Sequence, residues 1–222
     1  VIKNISLNIN GGERVAVVGY NASGKSTLMQ IISVVRRDFA GGLLYNGLPK
    51  QNLDLRSLRE HIGDLSSQED IFKASILENI TLGNSRIALP HVLEIVEKVG
   101  LNEFVRESAS GLDTALLPSG INIPRSTVTK ILVARAVVGK PNLLVMEEPL
   151  AALNFKDRLN IAHFLTDKTK PWTLVCVTED PVLAALCDRV LIMKEGEIIF
   201  DGPFEAAQQT KDFDKVFRSN LV

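Results

Sequence analysis

The stretch that decides the fold is RVAVVGYNASGKST, residues 14–27. RVAVVG reads as a buried strand, a glycine- and serine-containing loop follows, and a helical pattern runs over residues 25–35. The loop GYNASGKST fits G-x-x-x-x-G-K-[ST] and stands where that pattern has physical meaning, between a strand and a helix. Glycine and small residues let backbone N–H groups wrap the α- and β-phosphates of a nucleotide, and the helix N-terminus adds its partial positive charge. Gly19, Asn21, Ala22, Ser23, Gly24, Lys25, Ser26 and Thr27 are therefore the candidate nucleotide-binding residues. Lys25 would reach the β/γ oxygens, and the Ser26 hydroxyl would take one Mg²⁺ position.

A phosphate loop needs an acid at the end of a neighbouring strand to hold the metal, and NLLVMEEPLAALN (142–154) supplies two. Side chains alternate along a strand, so adjacent Glu147 and Glu148 should point in different directions. In P-loop NTPases the metal-side acid is usually Asp. Here it is Glu147, one methylene longer, and Glu148 is left to orient or deprotonate the attacking water.

The remainder of the chain fits around these two stretches. Its 222 residues, 45% hydrophobic and 23% charged, suit one α/β domain with a real core. A net charge of -1 excludes a general nucleic-acid field, so no nucleic-acid partner is expected. Cys176 and Cys187 lack CxxC or metal-ligand spacing and read as buried structural thiols. No apolar run approaches the length of a membrane span, and the chain opens on Val1 with no visible leader, as an excised or processed piece would. Residues 1–9 alternate in strand fashion, 43–47 make a short strand and turn, and 61–66 read as another strand. Residues 74–138 are mostly helical, too long for one crossover, and read as a helical subdomain. After Lys140-Pro141, strand and helix alternate until a closing hairpin in 189–200. The expected fold class is α/β: a P-loop NTPase core with a mostly parallel sheet, an N-terminal antiparallel β-subdomain and the helical subdomain.

In this order and spacing, the chain resembles the nucleotide-binding domain of an ABC transporter over essentially its whole length. SSQEDIFKASILENITLG (66–83) resembles the family's Q-loop, which puts Gln68 against magnesium and water. AALN (151–154) resembles the D-loop, and DRVLIMKEGEIIFDG (188–202) the closing strands. DLRSLREHIGDLSSQEDIFKASILENI is similar to the exporter-type form found in multidrug, peptide and type I secretion systems. GLDTALLPSG (111–120) looks like the segment that leads to the signature and touches the membrane domain. The resemblance implies ATP and Mg²⁺ as cofactors and a second nucleotide-binding domain as partner, in a homo- or heterodimer. It also implies transmembrane domains, commonly on the same polypeptide, and a place on the cytoplasmic face of a membrane. The residue that usually stacks on adenine would lie upstream of Val1.

Three departures qualify that expectation. Aligned through the shared ARA (134–136), Ile123-Pro124-Arg125-Ser126-Thr127 falls on the signature, typically LSGGQ, which holds the ATP of the opposite subunit. Proline stands for the serine, and arginine and serine for the two glycines whose N–H groups approach the γ-phosphate. Either Arg125 supplies charge in their place or the segment is an exposed helix start with no ligand. Glu179, in VTEDP (177–181), stands where histidine usually contacts the γ-phosphate; one reading has it rotating away to cap the helix near Pro181. His163 falls within a helical pattern and offers no substitute. Asn154 ends the D-loop where Asp is usual. With Glu147, these changes predict intact binding and weak hydrolysis. Two functions stand open: an ATP-driven motor, or a regulatory cassette beside a competent partner. A soluble ABC-type ATPase of DNA repair or translation is disfavoured by the lack of basic excess or a coiled-coil insertion.

Overall fold

A computed structural model describes residues 2–65 and 70–217. In chain order the elements are Arg14–Gly19 (β1), Lys25–Ile32 (α1), Leu44–Tyr45 (β2), Leu48–Pro49 (β3), Leu55–Glu60 (α2), Ile62–Leu65 (β4) and Ile76–Thr81 (α3). Leu89–Lys98 (α4), Asn102–Glu107 (α5), Arg125–Val138 (α6), Leu143–Glu147 (β5), Phe155–Thr166 (α7) and Thr173–Val177 (β6) follow. The chain continues through Pro181–Leu186 (α8), Arg189–Lys194 (β7), Glu197–Gly202 (β8), Phe204–Ala207 (α9) and Phe213–Phe217 (α10).

One six-stranded sheet runs in the order β4-β5-β6-β1-β7-β8. All neighbours pair parallel except β7 with β8, which close it as an antiparallel hairpin. Strands buried on both faces are apolar at every position, and β1 shows how the two faces divide. Ala16 and Val18 enter the larger core with Leu144, Met146, Leu174 and Val190, whereas Val15 and Val17 enter a second core with Val145, Val175 and Leu191. Helix α1 covers the second face with Leu28 and Met29. Arg14, at the start of β1, is fully buried, and its guanidinium donates to the carbonyls of Gly12 and Asp167 at 2.9 and 2.7 Å. The expected α/β class, the mostly parallel sheet and a separate antiparallel pair, β2–β3, are all present.

Two sequence expectations need correction. Residues 2–9 form no strand with the described residues, although Ile2, Ile5, Leu7 and Ile9 pack against the second core. The alternation reports one half-buried side, and Asn4, with φ of 47°, interrupts the extended run. Helix α1 stops at Ile32 rather than near 35: Val34 is left-handed at φ 61°, and the Tyr45 hydroxyl caps the Ile32 carbonyl at 2.6 Å. Within 74–138 the expected breaks near 84–85, 108–111 and 117–120 are present, and a further, unexpected one separates α4 from α5 at Gly100, whose φ is 71°.

Candidate functional site

In an open parallel sheet, ligands bind beyond the carboxyl ends of the strands. Here β5, β6 and β1 are successive neighbours, and the loops leaving them carry the sequence-predicted residues. The phosphate loop leaves β1 at Gly19, whose φ is 147°. A Cβ there would lie 2.2 Å from the Met193 carbonyl oxygen, so no larger residue fits. Gly24 (φ 99°) turns the chain into α1, and Leu28 N–H donates the first helical bond to the Gly24 carbonyl at 2.9 Å. The N–H groups of a helix's opening turn have no acceptor within the helix, so those of Gly24 to Thr27 belong to the loop's concave side.

Lys25 Nζ lies across this loop, donating to the carbonyls of Gly19 at 2.7 Å and Tyr20 at 2.9 Å. Burial lowers its pKa, while the carboxylates of Glu179, Glu148 and Glu147 act in the opposite direction. All three acids therefore act electrostatically on the lysine that would meet the phosphates. Ser26 Oγ donates to Glu147 Oε2 at 2.8 Å, and Glu147 Oε1 is buried with no hydrogen-bond partner among the described residues. The Ser23 hydroxyl is buried and unpartnered in the same sense. Asn21 and Ala22 are exposed at the loop's crest, and Ala22 holds a left-handed φ of 59°.

The two adjacent acids do diverge. Glu147 is still in β5, paired with Val177, and turns toward α1; Glu148 leaves the strand with φ of 46°. Its backbone N–H donates to the Val177 carbonyl at 2.9 Å, and its Oε2 accepts from the Glu179 backbone N–H at 3.2 Å. Burial pushes the Glu148 carboxyl up to about 7; the Glu179 N–H bond and Lys25 oppose this, while the Glu179 and Asp180 carboxylates add to it.

The helix after Glu179 is capped by a different residue from the one expected. Asp180 Oδ1 accepts from Val182 N–H at 2.8 Å and Leu183 N–H at 3.4 Å, and Arg158 Nε donates to Asp180 Oδ2 at 2.8 Å. Glu179 is thus held beside Glu148 by its own backbone, since α8 already has its cap. An Asp-Pro pair before an apolar run is the sequence signal for this N-cap.

The remaining expected positions are spread along the molecule. Gln68 lies outside the described residues. Pro124 is the N-cap of α6 with no side-chain cap bond, Arg125 is exposed and Thr127 is buried. Asn154 caps α7, accepting from Asp157 N–H at 2.9 Å. His163 is exposed on α7, and both cysteines are buried and free.

Fold and site together define a P-loop nucleotide-binding domain. The family described as ABC transporter matches residues 2–151, more than half of the chain. The chain belongs to the ABC transporter family, as an ATP-binding domain. Over 221 residues it is 25% identical to an uncharacterized ABC transporter ATP-binding protein, YfiB, of Bacillus subtilis, covering 99% of this chain and 38% of that protein. It is 29% identical to the mating factor M secretion protein mam1 of Schizosaccharomyces pombe, over 92% of this chain and 15% of the relative. An ATP-dependent lipid A-core flippase of Francisella tularensis is 26% identical, over 100% of this chain and 37% of the relative. The chain thus spans well under half of these relatives. Among solved structures, a bacterial Atm1-family ABC exporter with ATP bound superposes with a TM-score of 0.91 at 20% identity, over 100% of this chain and 39% of that one.

Proposed function

We propose that this domain binds MgATP at its P-loop, closes onto a second nucleotide-binding domain, and couples that closure to transmembrane domains carried on the same polypeptide. The arrangement would sit on the cytoplasmic face of a membrane. Among the described residues no helix is long and apolar enough to cross it. In this reading residues 1–73 and 139–222 form the core with the β-subdomain, and 74–138 the helical subdomain.

The observation that carries the proposal is the Ser26–Glu147 pair at 2.8 Å with Glu147 Oε1 buried and unpartnered beside it. An unsatisfied buried carboxylate oxygen is costly, and hydroxyl and carboxylate oxygens are the donors a hard divalent cation takes. These residues fit Mg²⁺, with Ser26, Glu147 and Gln68 as the residues that would hold it. When bound, Mg²⁺ neutralises charge on the β- and γ-phosphates. Lys25 would turn from the Gly19 and Tyr20 carbonyls to those oxygens, and the N–H groups opening α1 would donate to the phosphate oxygens. Glu148, which accepts from the Glu179 N–H, would orient the attacking water and take its proton.

Hydrolysis is expected to be slow. Glu179 adds a negative charge where the resemblance expects a hydrogen-bond donor, and α6 starts at Pro124-Arg125 without glycine amides. These same features favour a second reading, a regulatory cassette paired with a competent one, in which IPRST faces the partner's phosphate loop.

Equilibrium binding of labelled ATP with Mg²⁺ tests the central claim. Lys25→Ala should weaken it by roughly 10- to 100-fold, the loss of one charge-assisted hydrogen-bond set. Equal affinities would overturn the claim. Brisk turnover by the wild-type domain, abolished by Glu148→Gln, would overturn the expectation of slow hydrolysis.

A further inference from the structure

Tyr20 is the second residue of the phosphate loop, and every polar group it has is engaged. Its N–H donates to the Met193 carbonyl at 3.2 Å, and its carbonyl accepts from Ser23 N–H at 3.1 Å and from Lys25 Nζ at 2.9 Å. Its hydroxyl donates to Asp212 Oδ1 at 2.6 Å, far away in sequence. Lys194, at the end of β7, places its ammonium 5.3 Å from the centre of the Tyr20 ring and 3.9 Å from the Asp212 carboxylate. One residue thus joins the phosphate-binding lysine to a carboxylate near the end of the described chain.

Asp212 is held there by packing beyond its own turn. It opens α10, accepting from Val216 N–H at 3.1 Å, and Val216 and Phe217 are buried in the larger core. Phe213 and Phe217 lie 4.6 Å apart between ring centres, and Phe204 of α9 meets them edge-on at 5.5 and 6.2 Å. This aromatic cluster fixes α10 against the core and so fixes where Asp212 stands. The hydrogen bond to Asp212, with a lesser effect of burial, raises the Tyr20 pKa, so the phenol stays a donor throughout the ordinary pH range.

We infer that Tyr20 and Asp212 are positioning residues for the phosphate loop, and that nucleotide occupancy and docking of residues 204–217 are coupled through them. The inference rests on the P-loop binding MgATP. If docking of α10 holds the loop in the shape that accepts phosphates, linkage requires that bound nucleotide favour the docked α10 to the same extent. A bond that merely stabilised the fold would lower the unfolding midpoint and leave the affinity of the folded protein unchanged.

The experiment uses the full-length protein and two measurements: MgATP affinity and amide hydrogen exchange over residues 204–217. The variants are Tyr20→Phe, which keeps the ring under Lys194, Asp212→Asn, and the pair together. Each single variant should weaken MgATP binding by at least about fivefold, with the double variant no weaker than the singles, since both remove one interaction. Saturating MgATP should slow exchange over 204–217 in the wild type and not in Tyr20→Phe. MgATP binding with affinities unchanged in the variants, or without an effect on exchange in that segment, overturns this inference alone. Failure of the wild type to bind MgATP overturns both it and the P-loop reading.

Discussion

Ala22 stands at the crest of the phosphate loop with φ of 59°, a conformation in which an L side chain crowds its own backbone. Glycine adopts it freely, so Ala22→Gly should stabilise the protein by about 1 kcal/mol, less the entropy that glycine adds to the unfolded chain. A higher urea midpoint at unchanged slope checks this. Glu148 carries a different kind of cost. Its carboxyl titrates near 7 because burial disfavours the charged form, against 4.5 for the ordinary group. The folded state therefore holds a proton that the unfolded state has released across that window, and stability falls as pH rises from about 4.5 to about 7. Glu148→Gln removes the titration. Without nucleotide, it should gain on the order of 3 kcal/mol relative to wild type between pH 4.5 and pH 7.5, with little further divergence above. Parallel stability curves for the two proteins would refute that assignment. Both residues were visible in the sequence as site positions, and neither cost was. A backbone dihedral and the burial of a strand end depend on neighbours such as Val177 and Glu179, which arrive from another strand.

Helix α6 begins at a proline N-cap, which leaves the amides of its first turn without a side-chain cap. Pro124→Ser would put a hydroxyl where it can accept from Thr127 N–H, and should add about 1 kcal/mol to stability, again read from the urea midpoint. The other half of α6 is anchored by Arg135, whose guanidinium donates to the Asn79 and Asp70 carbonyls at 2.7 and 2.9 Å and stacks on Phe72 at 4.5 Å. In the sequence Arg135 only interrupted an apolar run, whereas in the fold it ties α6 to α3 and to the segment entering it. This marks the limit of sequence reading at this scale. Short continuous apolar runs reveal β1, β5, β6 and β7, because each is buried on both faces of the sheet. The period of side chains overstates residues 2–9, where regular burial comes without pairing, and α1, whose end is set by Val34 and the Tyr45 hydroxyl rather than by hydrophobic period. Caps were legible only where the residue type was read: Asp180, not Glu179, matches the pattern and holds α8.

Across the whole molecule, the groups proposed to bind a nucleotide lie at the carboxyl ends of the central strands β1 and β5, and the proposal of slow hydrolysis rests on Glu179 after β6 and Pro124-Arg125 before α6. Lys25 feels Glu179 more strongly than either Glu148 or Glu147, so the residue in the histidine position is the leading local source of negative charge on the phosphate lysine. Glu179 also adds to the upward shift of Glu148. Replacing it therefore does two separable things: it removes a negative charge, and it can supply a hydrogen-bond donor. Glu179→Gln removes the charge and presents an amide, while Glu179→His also restores a ring that can relay between γ-phosphate and Glu148. In the full-length transporter, if the opposing signature is competent, Glu179→His should raise ATP turnover by about tenfold or more, within the range a positioned acid–base group contributes. If like-charge repulsion is the main defect, Glu179→Gln should recover most of that gain; if donation along the ring is needed, it should recover little. MgATP affinity should rise modestly in both, since each relieves repulsion at the triphosphate. Single-turnover hydrolysis and equilibrium binding on the same preparations separate the two effects. Turnover unchanged in Glu179→His, with binding intact, would overturn the proposed part of Glu179 in slow hydrolysis.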